Sequence, residues 1–247
     1  MRLPSILFAA IVSGLFIGRP ACAQLGTYVK GNCVLQNGQQ LNGSFQLRLA
    51  TAQSPAILVY HSAKQADQEF EPSQVKHCTL GRRSYIVGGN FVAPDNKGGI
   101  PVDLDFVEVL DTIGHVQMFR YEYEGYVSGN PGDYIVPLAL MAATIAMTAE
   151  APMMFVGGGG KQYQRTYILL LRARNEEPLV PYTPGPRPGL FTSEQEKLVM
   201  PSVDATTAFF PDDSELQKRI KTGKITQVTL PAAVRAYNAG LKLKPKN

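Results

Sequence analysis

Two aspartates and a short run of alternating charges carry most of the chemistry this chain offers. Asp103 and Asp105 stand two apart in Val102-Asp103-Leu104-Asp105-Phe106-Val107, a spacing that puts both carboxylates on one face of a β-strand. Paired carboxylates there can act as general acid and base or as oxygen ligands for Ca²⁺; two aspartates on a solvated sheet face are the plainer explanation. Arg120, Glu122 and Glu124 alternate in the same way and make a second polar face, with Arg120 placed for a cross-strand ion pair. These five residues are the candidate binding positions. His61, His77 and His115 lack the paired spacing of a zinc site, so no metal or cofactor is expected. No G-x-S-x-G nucleophile turn occurs, and Lys161 follows Gly157 to Gly160 without the spacing or the adjacent Ser or Thr of a phosphate loop. No motif names a reaction, and no catalytic residue is assigned.

The element that must hold these side chains is the stretch from Val102 to Tyr126, read as two long strands joined at Asp111-Thr112-Ile113-Gly114. Asp first and Gly last suit a type I turn closed by a residue in the left-handed region. Phe119, Tyr121 and Tyr123 share the face opposite Arg120, Glu122 and Glu124. Two apolar elements compete to cover those aromatics: a helix at Leu138 to Ala149 and the C-terminal helices.

The N-terminus fits a secretory signal. Arg2 supplies positive charge, Ser5 to Ile17 is an apolar run, and Ala21-Cys22-Ala23 fits cleavage before Gln24. The run is shorter than the roughly 20 apolar residues of a spanning helix. The full chain has 24 Lys and Arg against 20 Asp and Glu. Loss of Arg2 and Arg19 leaves 22 against 20, a net charge of +2. Without a basic stripe interleaved with aromatics, no nucleic-acid partner is expected. Cleavage also removes Cys22, leaving Cys33 and Cys78 as an even pair in a chain bound for an oxidising compartment. A disulfide between them would close about 46 residues and stabilise by roughly 4 kcal/mol; two buried free thiols on neighbouring strands is the alternative.

Between these landmarks the first half reads strand after strand. Tyr28 to Leu35 and Leu41 to Leu49 flank Asn37-Gly38, a hairpin signal. Ile57 to His61 is a strand followed by a polar loop from Ser62 to Gln68. Pro72 opens one helical turn. Cys78 to Leu80 and Ser84 to Val87 flank Gly81-Arg82-Arg83, and Asn90 to Gly99 is a loop.

The order of features resembles a group of uncharacterised secreted proteins of Bacteroidota. The residues that carry it are Gly31, Asn37-Gly38 and Gly43-Ser44-Phe45, then Phe70-Glu71-Pro72-Ser73-Gln74-Val75. Tyr85, the hairpin from Phe106 to Phe119, Phe209-Phe210 with Asp212 and Leu216, and Tyr237-Asn238 complete it. The resemblance implies export and a β-rich architecture, and no activity.

After Tyr126 the composition changes. Ile135 to Val156 is strongly apolar, and Leu138 to Ala149 favours a helix of about 18 Å, too short to span a bilayer of about 30 Å. A buried core helix is expected, with membrane-surface contact through Leu138 to Val156 as an alternative. Tyr163 to Arg172 is a central strand. The prolines from Pro178 to Pro188 make an extended, exposed linker. Asp212 or Asp213 caps a helix ending at Gly223, and Thr229-Leu230-Pro231 opens another ending at Gly240. The expected fold is α+β: a mainly antiparallel sheet, as a small barrel or sandwich, with an apolar central helix and a C-terminal αα-hairpin. The expected divisions are a signal peptide at 1–23, a β-rich domain at 24–177, a proline-rich linker at 178–190 and a helical segment at 191–247 packed on the sheet. The expected role is a non-catalytic envelope protein that binds a partner protein or surface; an envelope hydrolase using the hairpin carboxylates is the alternative.

Overall fold

Alternation in the first half produces strands directly. In β1 (Val29–Leu35) and β2 (Gln40–Arg48), Cys33, Leu35, Leu41, Phe45 and Leu47 are buried while residues between them are exposed or half-buried. The Asn37 side chain accepts from Gln39 N at 2.9 Å and closes the turn. The computed structural model describes residues 27–62, 65–94, 99–127, 162–174, 178–185 and 201–240. The signal expected at 1–23, the helix expected at Leu138 to Ala149, the apolar segment to Val156 and the glycines at 157–160 lie outside them.

The strands that follow are β3 (Ala50–Thr51), β4 (Ile57–Ser62), β5 (Gln65–Phe70), β6 (Val75–Leu80) and β7 (Arg83–Gly88). Next come β8 (Phe91–Ala93), β9 (Ile100–Val102), β10 (Asp105–Asp111), β11 (Val116–Val127), β12 (Gln162–Ala173) and β13 (Val180–Pro181). One sheet runs β13-β12-β11-β10-β7-β6-β1-β2-β4-β5, and β8 pairs with β9 separately. The pairs along this sheet are antiparallel. The exception lies off its path: β3, the continuation of β2, pairs in parallel with β11, setting Ala50 opposite Tyr123 and Thr51 opposite Glu124. Among the described residues the sheet therefore coils back on itself without closing into a barrel, and the expected α+β class with a mainly antiparallel sheet holds.

Two corrections to the strand reading have different causes. β5 lies largely inside the expected polar loop 62–68, and β8 inside the loop expected at 90–99. Gln65-Ala66-Asp67-Gln68 carries no apolar alternation, and β5 is a strand through its pairing with β4; Phe91-Val92-Ala93 is apolar but only three residues long, and the turn residues around it hide it.

The C-terminal chain forms α1 (Val203–Thr207), α2 (Ser214–Lys221) and α3 (Leu230–Asn238). Asp213 caps α2 by accepting from Leu216 N at 2.9 Å, and Pro231 lies in the first turn of α3, as the sequence indicates. α2 and α3 have eight and nine residues, below the length at which isolated helices persist in water. Docking holds them. Leu216, Ile220, Leu230 and Val234 are fully buried with Phe210 against Val116, Met118, Leu169 and Leu171, each burial worth roughly 1.5–3 kcal/mol.

That docking corrects the expected cover of the hairpin aromatics. The helices take the Val116 and Met118 face of β11, while Phe119, Tyr121 and Tyr123 pack in a second cluster with Phe91, Val102, Ile168 and Leu179. The linker reading is also corrected for 178–185. Tyr182 is fully buried, its amide donating to Leu169 O at 2.8 Å and its hydroxyl to Ile225 O at 2.9 Å. Gly185 donates to Ile220 O, and a Cβ there would stand 2.1 Å from Lys221 O. Proline made this run extended; Leu179 and Tyr182 made it a seam between sheet and helices.

At the β10–β11 turn, Asp111 Oδ1 accepts from Ile113 N at 2.9 Å, and Gly114 has φ of 110°. A side chain at Gly114 would collide with Asn238. The Asn238 amide accepts from Val116 N at 3.1 Å and donates to Val116 O at 2.8 Å, pairing with the strand as a neighbouring backbone would.

Candidate functional site

The five candidate positions do not form one site. Asp103 is exposed in a bend before β10, whereas Asp105, the first residue of β10, is 2% exposed. The bend breaks the alternation that placed them on one face. Asp105 accepts from Phe106 N at 2.7 Å, the Tyr121 hydroxyl at 3.0 Å and Ala56 N at 3.4 Å. Burial holds its carboxyl above the usual range although these hydrogen bonds favour the charged form. It ties β10 and β11 to the chain entering β4.

Arg120 and Glu122 do meet, with partners the sequence reading omitted. Register places Glu108 opposite Arg120. Arg120 donates to Glu108 Oε2 from Nη2 at 2.6 Å and from Nε at 2.9 Å, and its Nε lies 3.2 Å from Glu122 Oε1. Arg83 reaches Glu122 at 3.5 Å and Glu108 at 3.8 Å, and Arg165 reaches Glu122 at 2.5 Å. Glu108 and Glu122 side chains are 8% and 10% exposed. Burial opposes charge on Arg83 and Arg120, but the two carboxylates outweigh it and hold both guanidiniums above their ordinary value. Three guanidiniums thus enclose two carboxylates, joining β7, β10, β11 and β12. Glu124, opposite Arg165, is exposed.

The ion network is one end of a longer row. Leu41, Cys33, Cys78, Tyr85, Glu108, Arg120 and Leu169 are successive register partners across seven strands. Opposed residues share a face, so the buried thiols, the Tyr85 phenol and the ion network lie along one strip of the sheet. Tyr85 is 3% exposed, and burial followed by Glu108 pushes its hydroxyl up. A four-residue turn at Asp111 to Gly114 would set Glu108 opposite Gln117; the longer connection, which sets Asp111 opposite Met118, and the register shift after Val109 bring Arg120 there instead, and Arg83 and Arg165 come from strands whose order the sequence does not state.

A cleft of about 480 Å³ opens where β11 begins and β12 ends, a size typical of small-ligand sites. His115, Arg174, Asp212 and Tyr237 bring polar groups to it, with Val180 and Phe209 among its apolar walls. Arg174 N donates to His115 O at 2.9 Å, and Tyr237 packs edge-on against Phe210 at 5.1 Å. Burial, then Asp212 and Asp213, raise the Tyr237 hydroxyl above its ordinary value. These four residues are dispersed over the chain, so no local pattern announces them. A third polar group lies in the open: Asp67 accepts from Tyr28 at 2.5 Å and shares a 2.7 Å hydrogen bond with His61 Nδ1. Among the described residues, no group of three or more His, Cys, Asp or Glu is placed to hold a metal ion, and no helix is long and apolar enough to cross a membrane.

Comparison of the chain with family models, curated proteins and solved structures returned no match.

Proposed function

We propose that the chain is an exported envelope protein that binds a partner or ligand without catalysing a reaction on it. The observation that supports this reading is the engagement of Asp105, Glu108 and Glu122, the buried carboxylates of the hairpin, in the fold itself, while Asp103 and Glu124 stand exposed. Asp105 is occupied by three donors, and Glu108 and Glu122 are enclosed by arginines. An acid–base pair held in a pocket needs at least one buried carboxylate free to exchange a proton with substrate, and these three are engaged. The cleft at His115, Arg174, Asp212 and Tyr237 is the place we assign to binding. Groups of both charge signs beside an apolar wall suit a short zwitterionic peptide better than a polyanion.

Fractionation of cells producing the full chain, followed by N-terminal sequencing, tests export. A chain starting at Gln24 in the envelope fraction is expected, and a cytoplasmic chain that keeps its first residues overturns the proposal. For binding, a thermal-shift panel of short peptides should give shifts that are lost in Tyr237→Phe or His115→Ala. Shifts that persist in both variants place binding elsewhere.

A further inference from the structure

Cys33 and Cys78 are free thiols in this structure, 0% and 1% exposed, and they are direct partners across β1 and β6. Which kind of partner they are follows from one hydrogen bond. Gly81 N donates to Lys30 O at 2.9 Å, which makes Lys30 and Gly81 a hydrogen-bonded pair in the same register that sets Gly31 opposite Leu80. Hydrogen-bonded and non-hydrogen-bonded pairs alternate along an antiparallel ladder. Asn32 with Thr79 is then hydrogen-bonded, and Cys33 with Cys78 is not. Non-hydrogen-bonded partners have their Cα atoms closest, about 4.5 Å apart, inside the span a disulfide bridges. The pair stands before the register shift between Val34 and Leu35, within the part of the ladder that runs in continuous register from Gly31 to Val34.

We infer that Cys33 and Cys78 are a disulfide site, closed as β1 and β6 come together in an oxidising compartment. The chemistry is thiol–disulfide exchange with an external disulfide such as oxidised glutathione or an oxidoreductase. One cysteine thiolate attacks the oxidant and releases one thiol. The second cysteine then attacks the mixed disulfide at the protein sulfur and releases the other, so two protein thiols are oxidised as one disulfide is reduced. Timing follows from burial. In the finished sheet both sulfurs are out of contact with solvent, and burial pushes the Cys33 thiol up to about 11 and the Cys78 thiol up as well, so little thiolate remains to react. The bond forms while the sheet assembles and is then shielded from reductants. Closed there, it ties β1 to β6 around the intervening β2, β3, β4 and β5. The compartment rests on the export proposed above; the geometry does not.

The experiment uses the full chain carrying Cys22→Ser, in which Cys33 and Cys78 are the remaining thiols. The chain is unfolded, refolded in a buffer of oxidised and reduced glutathione, then denatured without reductant and alkylated. The expected result is no alkylated thiol, a linked peptide pair containing Cys33 and Cys78, and a higher melting temperature than the reduced chain. That temperature difference should vanish in the further Cys33→Ala/Cys78→Ala variant. Two alkylated thiols in the folded, oxidised sample, stable glutathione adducts, or links between chains overturn the inference. Export is read separately, from the fractionation above, so a bond that forms in refolding while the cellular chain stays cytoplasmic counts against export alone.

Discussion

The two faces of β11 are built from the same alternation and use it in opposite ways. Phe119, Tyr121 and Tyr123 form an apolar face; Tyr121 and Tyr123 stack with centroids 5.4 Å apart, and Phe91 meets Tyr121 edge-on at 5.1 Å. The other face begins apolar at Val116 and Met118 under the helices, turns ionic at Arg120 and Glu122, and reaches solvent at Glu124. Both faces are buried over most of their length. A charged residue in alternation therefore marks a change of face, not the edge of the core. Ring packing, with hydrogen bonds from the Tyr121 and Tyr123 hydroxyls at its rim, holds the first face, whereas paired charges on four strands hold the second, and the two should fail differently when cut.

Truncation on the aromatic face should cost most. Phe119→Ala removes a fully buried ring and is expected to destabilise by about 3–5 kcal/mol, read from the midpoint of urea unfolding. On the ionic face, Glu108→Ala leaves Arg120 and Arg83 facing each other with one carboxylate fewer, an expected loss of about 3 kcal/mol. The companion double variant Glu108→Leu/Arg120→Met removes both charges and should recover most of that loss. A double variant as unstable as Glu108→Ala would mean that the network does more than neutralise itself.

Smaller effects sharpen the boundary between the faces. Asn238→Ala uncouples α3 from Val116 and should cost roughly 1–2 kcal/mol; hydrogen exchange at the Val116 amide should rise before global unfolding. Asp105 supplies a pH test. Its carboxyl is held above the ordinary value by burial, so the folded chain binds that proton more tightly than the unfolded chain does. This term disfavours folding at neutral pH and fades as pH falls through the folded value toward the unfolded one of about 3.9. Wild type should gain stability relative to Asp105→Asn as pH is lowered from 7 to 4, and a difference that stays flat would remove the shift. Glu124→Ala, at the exposed end of the ionic face, should change stability by no more than about 0.5 kcal/mol.

Much of the local structure was legible. Asn37, the glycines of the turns, Pro72, Asp213 and Pro231 act on their immediate neighbours, and the turns and helix ends lie where those residues put them. Glu108 was out of reach, since a four-residue turn at Asp111 to Gly114 would set it opposite Gln117, and the longer connection with its register shift sets it opposite Arg120. The exposed linker and the shared face of Asp103 and Asp105 were misread because each needed a distant contact: Tyr182 with Ile225, and Asp105 with Ala56 and Tyr121.

By itself the sequence determined the mainly antiparallel character of the fold, the positions of its principal turns and the C-terminal helical pair, because period-2 burial and capping are set within a few residues. Only the tertiary structure decided that β3 returns to β11, that the helices cover Met118 and not Tyr121, and that Arg83 and Arg165 complete the charge network. It also decided that Cys33 and Cys78 face each other at a non-hydrogen-bonded position. The physical reason is common to all four. Strand order and register are settled by which apolar faces cover one another best over the whole sheet, a sum over long-range contacts that no single stretch of residues contains.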